Sequence, residues 1–300
     1  MRGVLKPALT GWRVLGAPAL VLLSSALFAL MGACVKAASP QYSAGEMVMY
    51  RSLVGVCFMA VLLHRRGGTL RTSVPWMHAW RSGLGVGALC LWLVAITGLP
   101  LGTAMTLNSM SSVWMAAFIV ALALLPGRRR DIVEAPLVFA VLVGFSGVAL
   151  LLRPTLGGHQ GWSALAGLLS GVGAALAYLQ VVALGRAGEP EERVVFYFSA
   201  TGIGAGLLLT LAGGGFNPHT PAGMALLLAI GLSATTGQLL MTRAFALGHP
   251  LVNGVLQYSS IAFSVGLGVW WFGDPLDAQT MLGMLLIVGA GVAATKLRSR

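Results

Sequence analysis

A chain of 300 residues that is 57% hydrophobic and only 9% charged departs from the ~25% charged composition of an ordinary soluble domain. Its apolar runs are continuous and long, not alternating, which excludes a barrel of short strands and indicates an all-α integral membrane protein. The formal charge of +11 does not indicate nucleic acid, because the basic residues gather between apolar runs instead of along one amphipathic face.

The first run, near 17–37, follows Arg2, Lys6 and Arg13 and ends at Met31, Gly32, Ala33 and Cys34. It exceeds the ~7–15-residue apolar core of a signal peptide and has a counterpart later in the chain, so it reads as a span. Nine more follow near 45–63, 77–97, 102–125, 133–152, 162–184, 194–213, 222–246, 250–272 and 278–295. The second carries Glu46 and Arg51 in its first turns. Cys34, Cys57 and Cys90 lie inside runs, and the five histidines show no metal-ligand spacing. No disulfide framework, metal or cofactor is therefore expected.

The fourth and ninth spans are near-copies. Each runs from a Leu-Gly pair to a glycine, Leu101-Gly102 to Gly127 and Leu247-Gly248 to Gly273, and each holds a polar cluster at its centre. The clusters are Asn108, Ser109, Ser111 and Ser112 in one, and Gln257, Tyr258, Ser259 and Ser260 in the other. Aligning these copies pairs the third span with the eighth and the fifth with the tenth. Each half then has five spans, and an odd number makes the second half enter the membrane from the opposite side. The expected architecture is ten transmembrane helices as two inverted-topology five-helix repeats, 1–156 and 157–300, as in secondary transporters with a midplane site.

Sixteen of the nineteen Lys and Arg residues, Arg65, Arg66, Arg71, Arg81, Arg128, Arg129 and Arg130 among them, fall on one side of such an arrangement. By the positive-inside rule that side is cytoplasmic and holds both termini. Trp12, Trp76, Trp80, Trp162, Trp270 and Trp271 sit near span ends as interfacial anchors. Glycines such as Gly202 and Gly206 allow close helix approach.

The chain resembles the drug/metabolite transporter superfamily in its ten-helix EamA-type form. The resemblance rests on Phe272, Gly273 and Asp274 followed by Gln279, Gly283, Gly291 and Val292, on Tyr50, Arg51 and Ser52, and on 32–36. The first half departs from the pattern, since Gly127 is followed by Arg128, Arg129 and Arg130, and neither fourth helix of a repeat has the proline often found there. The resemblance implies a bacterial inner-membrane exporter of small metabolites, most closely neutral or aromatic amino acids, with Tyr50 and Arg51 near its substrate.

In span four, Asn108, Ser111, Ser112 and Met115 share a helical face; in span nine, Asn253, Gln257, Ser260 and Ser264 do, flanked by Tyr258; span eight adds Thr235, Gln238 and Thr242. These groups either glue helices by hydrogen bonds averaging ~0.6 kcal/mol or line a cavity, and their matched depth in related helices favours the cavity. Trp92, Trp114, Tyr178 and Tyr258, with Met31, Met105 and Met115, would give it an adaptable wall for neutral or aromatic side chains. Arg51 either snorkels to the outer interface or attracts a substrate carboxylate.

All eight acids lie in loops or outermost turns, so Glu46 is the one carboxylate placed for a proton relay. Facilitated diffusion or exchange is expected over strongly coupled pumping. The partners are a small-molecule substrate and the bilayer, with no nucleic acid and with a monomer compatible. A lipid or polyprenyl-carrier flippase on the same architecture is the first alternative. A remoter one is an intramembrane protease, because Gly144, Phe145, Ser146 and Gly147 reproduce a GxSG pattern, although the interiors of the predicted spans offer no histidine base.

Overall fold

A computed structural model describes residues 15–98, 101–123, 135–152, 161–273 and 277–298. Among them every regular element is helical: α1 (Ala17–Ala38), α2 (Ala44–Arg65), α3 (Pro75–Gly98), α4 (Leu101–Ser109), α5 (Ser111–Ala123), α6 (Ala135–Leu152), α7 (Gly161–Arg186), α8 (Glu191–Ala212), α9 (Pro221–Leu247), α10 (Pro250–Gln257), α11 (Ser259–Leu267), which a π-helical turn over Gly268–Phe272 continues, and α12 (Ala278–Arg298). Helix occupies most of the described part of each predicted interval, with breaks at Met110 and Tyr258. Eight of these stretches are long and apolar enough to cross a membrane, Met105–Ala123 and Pro250–Trp271 being composite, and Ala135–Leu150 is a shorter apolar helix. The boundary at 156/157, Trp12, Arg128, Arg129, Arg130, Arg153 and Asp274 lie outside the described residues.

Local chemistry sets the helix starts. Pro18, Pro221 and Pro250 occupy first turns, where a missing N–H costs nothing and the fixed φ suits a helix. Thr220 caps α9 by accepting from the Gly223 amide at 3.1 Å. At α2 the Ser43 hydroxyl accepts from the Glu46 amide while the Glu46 carboxylate accepts from the Ser43 amide at 2.8 Å, a reciprocal capping box. Glu46 is wholly buried and also accepts from the Asn217 amide at 2.8 Å and from Asn217 Nδ2 at 2.6 Å. It thus ties the start of α2 to the segment before α9.

The helices associate in four long pairings, α1 with α9, α2 with α8, α3 with α7 and α6 with α12. Small residues make the second pairing close. A Cβ on Gly206 of α8 would come within 2.5 Å of the Met49 amide nitrogen, and one on Gly45 of α2 within 2.6 Å of that of Thr210. Such contact supplies the dispersion energy that stands in for the hydrophobic effect between helices in lipid.

The polar clusters at 108–112 and 257–260, expected within continuous spans, coincide instead with interruptions at Met110 and Tyr258. The Met110 amide is shared between the Thr106 and Leu107 carbonyls at 3.2 and 3.3 Å, and the Tyr258 amide bonds back only three residues to Val255 at 3.1 Å. Both are tightened turns that need no proline. Side chains and neighbours cover the loosened backbone: the Ser259 hydroxyl donates to the Leu256 carbonyl at 2.6 Å. Gly171 of α7 approaches the Leu107 carbonyl so closely that a Cβ there would lie 2.7 Å from it.

Candidate functional site

The two interruptions flank a cavity of 310 Å³ bounded by residues of α1, α2, α3, α4, α5, α7, α8, α9, α10 and α11. Of the residues that sequence reasoning proposed, Asn108, Ser111, Ser112, Trp92, Tyr178, Gln238, Gln257, Tyr258, Ser260 and Arg51 line it. Trp114 and Tyr50 do not. Trp114 stacks on Phe118 at 6.3 Å within a buried cluster around Met115 and Phe245, and Tyr50 meets the His219 ring edge-on at 5.4 Å.

Several polar groups also join helices, so cavity lining and helix gluing are combined in the same side chains. Asn108 Nδ2 donates to Ser170 of α7 at 3.1 Å. The Ser112 hydroxyl donates to the Gly254 carbonyl of α10 at 2.9 Å, where Gly254 leaves room for it. Gln257 Nε2 reaches the Met241 sulfur at 3.1 Å. Tyr178 lies flat against Phe245 at 5.1 Å. Donors are left over in the lining, and among the described residues Gln238 Nε2 and Trp92 Nε1 are two of those buried without a hydrogen-bond partner. Asn253 of the predicted stripe does not line the cavity; its amide donates to the Ala244 carbonyl at 2.7 Å and closes the α9–α10 corner.

Arg81 corrects the sequence reading. Counted there with the loop cations, it lies inside α3, is only 3% exposed and lines the cavity. Its guanidinium carbon stands 4.1 Å from the centroid of the Phe198 ring, and that of Arg51 stands 5.8 Å from the same centroid. Both are cation–π distances. Arg51 therefore reaches the cavity instead of snorkelling away from it. Arg81, Gly85, Ala88 and Trp92 all line the cavity from α3, at a spacing of four, three and four residues that marks one helical face. That stripe was the signal available in the sequence. Phe198 of α8 had none, because one aromatic in an apolar run is ordinary packing.

At one end of the bundle the charges are paired. Glu189, between α7 and α8, accepts from Thr72 at 3.0 Å, from Arg193 at 2.8 Å and shares a 2.9 Å hydrogen bond with His78. Arg243 of α9 bonds Glu191 at 3.0 Å, and Arg66, just past the end of α2, pairs with Glu192. Burial pushes the Glu189 carboxyl up, but the bonds from His78, Arg193 and Thr72 outweigh it and hold the group below the usual carboxylate range. Ser146 stands exposed on α6 with its hydroxyl donated to the Leu142 carbonyl at 2.9 Å, the posture of a helix-surface serine.

Apolar helices long enough to span a bilayer, folded around a mixed polar and aromatic cavity, define a membrane transporter. No family model matches the chain. It is 32% identical over 281 residues to the pseudopaline exporter CntI of Pseudomonas aeruginosa, covering 93% of this chain and 95% of that one, in two strains. An uncharacterized transporter of Helicobacter pylori is 22% identical over 286 residues, with 91% and 92% covered. A solved crystal structure with 20% identity superposes with a TM-score of 0.78 over 95% of this chain and 99% of the other, a likeness of fold. The chain belongs to the transporter family that includes the pseudopaline exporter, and it is a multi-pass bacterial membrane protein and an exporter of small metabolites.

Proposed function

We propose that the chain is a ten-span secondary transporter of the drug/metabolite type. It exports amino-acid-like metabolites across the bacterial inner membrane by alternating access between inverted repeats at 1–156 and 157–300, with both termini cytoplasmic. The observation that carries this reading is the cavity at the paired interruptions, lined by Asn108 and Ser112 from one half and by Gln257 and Tyr258 from the other. The helix pairings support the repeat. Exchanging the five helices of one half for those of the other returns α2 with α8 and α6 with α12 to themselves, and turns α1 with α9 into α3 with α7. That is the pattern expected of a pseudo-two-fold axis in the membrane plane.

The wall of Trp92, Tyr178, Tyr258 and Phe28 suits an apolar or aromatic body, and free donors such as Gln238 Nε2 suit a polar head. Glu46 accepts from both Ser43 and Asn217, which makes it a structural cap and supports facilitated diffusion or exchange over proton pumping. The test is counterflow of labelled amino acids and related metabolites into proteoliposomes of the purified protein. Uptake should be accelerated by unlabelled compound inside; equal uptake by loaded and protein-free vesicles overturns the reading. Concentrative uptake under an imposed pH gradient, abolished by Glu46→Gln, would overturn the uncoupled mechanism while keeping transport.

A further inference from the structure

Among the described residues that line the cavity, Arg51 and Arg81 are cationic and none is acidic. The carboxylates on packed elements are used elsewhere, Glu46 by Ser43 and Asn217 and Glu189, Glu191 and Glu192 by the paired charges at the bundle end. Arg81 is 97% inaccessible, yet its Nε and Nη1 have no hydrogen-bond partner among the described residues. The Phe198 ring stabilises one face of the guanidinium but offers nothing to the in-plane N–H groups, which are the groups that match a carboxylate. Arginine does not escape by losing its proton, and a buried cation with open donors persists at a cost that a counter-ion would remove. Arg51 presses the same ring from a second position, so the two guanidinium carbons are separated by less than their summed distances to it. Two like charges so close in a low-dielectric pocket focus positive potential where a ligand enters.

We propose that Arg81 and Arg51 form a paired anion site, and that the transported metabolite carries two carboxylates, one for each guanidinium. Its remaining polar atoms meet Gln238 Nε2 and Trp92 Nε1, both open donors on the cavity wall. A neutral amino acid, whose single carboxylate is balanced by an ammonium, leaves one arginine unanswered and is a poorer cargo. This rests on the transport reading and narrows its substrate class to dicarboxylates.

Calorimetric titration of the full-length protein in detergent tests it, with probes matched in shape: glutamate against glutamine, and phenylsuccinate against 2-phenylbutyrate, each at fixed chloride and again with chloride varied. In at least one pair the dicarboxylate should bind about 10-fold or more tightly than its partner, as expected for an added charge-assisted bidentate contact. Arg81→Gln and Arg51→Gln should each bring that ratio to within about 2-fold while leaving the monocarboxylate nearly unchanged. If Arg81→Gln does not yield folded protein, Arg51→Gln and the wild-type ratios decide alone. Equal binding within both pairs overturns the proposal, as does binding of neither member, or displacement by chloride that identifies an inorganic anion as the occupant. Counterflow keeps the two readings apart: transport of monocarboxylates at undiminished rate with no dicarboxylate preference sinks the paired site and leaves the transporter standing, whereas absence of counterflow for every compound sinks the transport reading.

Discussion

The bundle end around Glu189 and the cavity around Phe198 both hold arginines, and they differ in what faces them. At the bundle end Arg193 and Arg243 each meet a carboxylate within 3.0 Å. In the cavity Arg51 and Arg81 both face the Phe198 ring, and no carboxylate lines the cavity among the described residues. A charge whose partner is built into the protein fastens helices together, and removing one member strands the other. A charge left open by the fold is available to something that comes and goes. The same residue type therefore marks structure in one place and function in the other, and the absent carboxylate makes the difference.

The comparison breaks most visibly by substitution. Arg81→Gln should reduce counterflow of a dicarboxylate by about 10-fold or more while the melting temperature holds steady or rises, because an unpaired buried cation is removed. A large loss of stability with transport intact would make Arg81 a structural residue. Glu189→Ala is the opposite case. It strands His78 and Arg193 and should lower stability by about 2 kcal/mol, read as a drop in melting temperature.

Acid sharpens the contrast. Because the Glu189 carboxyl is held low in the fold, its contribution is fully present above the unfolded value of about 4.3 and is lost as pH falls through the lower folded value. Melting temperature should fall in that acidic window, and Glu189→Gln should remove that part of the dependence. Packing comes next: Gly171→Ala places a methyl 2.7 Å from the Leu107 carbonyl and should cost about 1–3 kcal/mol, measured by thermal unfolding. Least of all in stability, Asn108→Ala forfeits the 3.1 Å bond to Ser170, about 0.6 kcal/mol by membrane-helix precedent, yet it should alter counterflow because the side chain lines the cavity.

Much of this molecule was legible before its fold. Apolar length located the helices, and the echo of 101–127 in 247–273 pointed to the two places where the backbone tightens and the cavity forms. The interruptions themselves were not legible, because they involve a shared amide at Met110 and a three-residue turn at Tyr258 in sequence that contains no breaker. Nor was the role of Arg81: six residues past Pro75, it reads as a charge at a helix end until neighbouring helices cover it. Trp114 and Tyr50 erred the other way, since chemistry suited to a ligand also suits packing on Phe118 and His219.

Composition and periodicity by themselves determined a helical membrane protein with duplicated polar centres, since bilayer thickness and backbone satisfaction act on each segment separately. Only the tertiary structure decided which charges are answered. That depends on the side chains that α2, α3 and α8 bring together from residues 51, 81 and 198, and no local rule along the chain measures the distance between them.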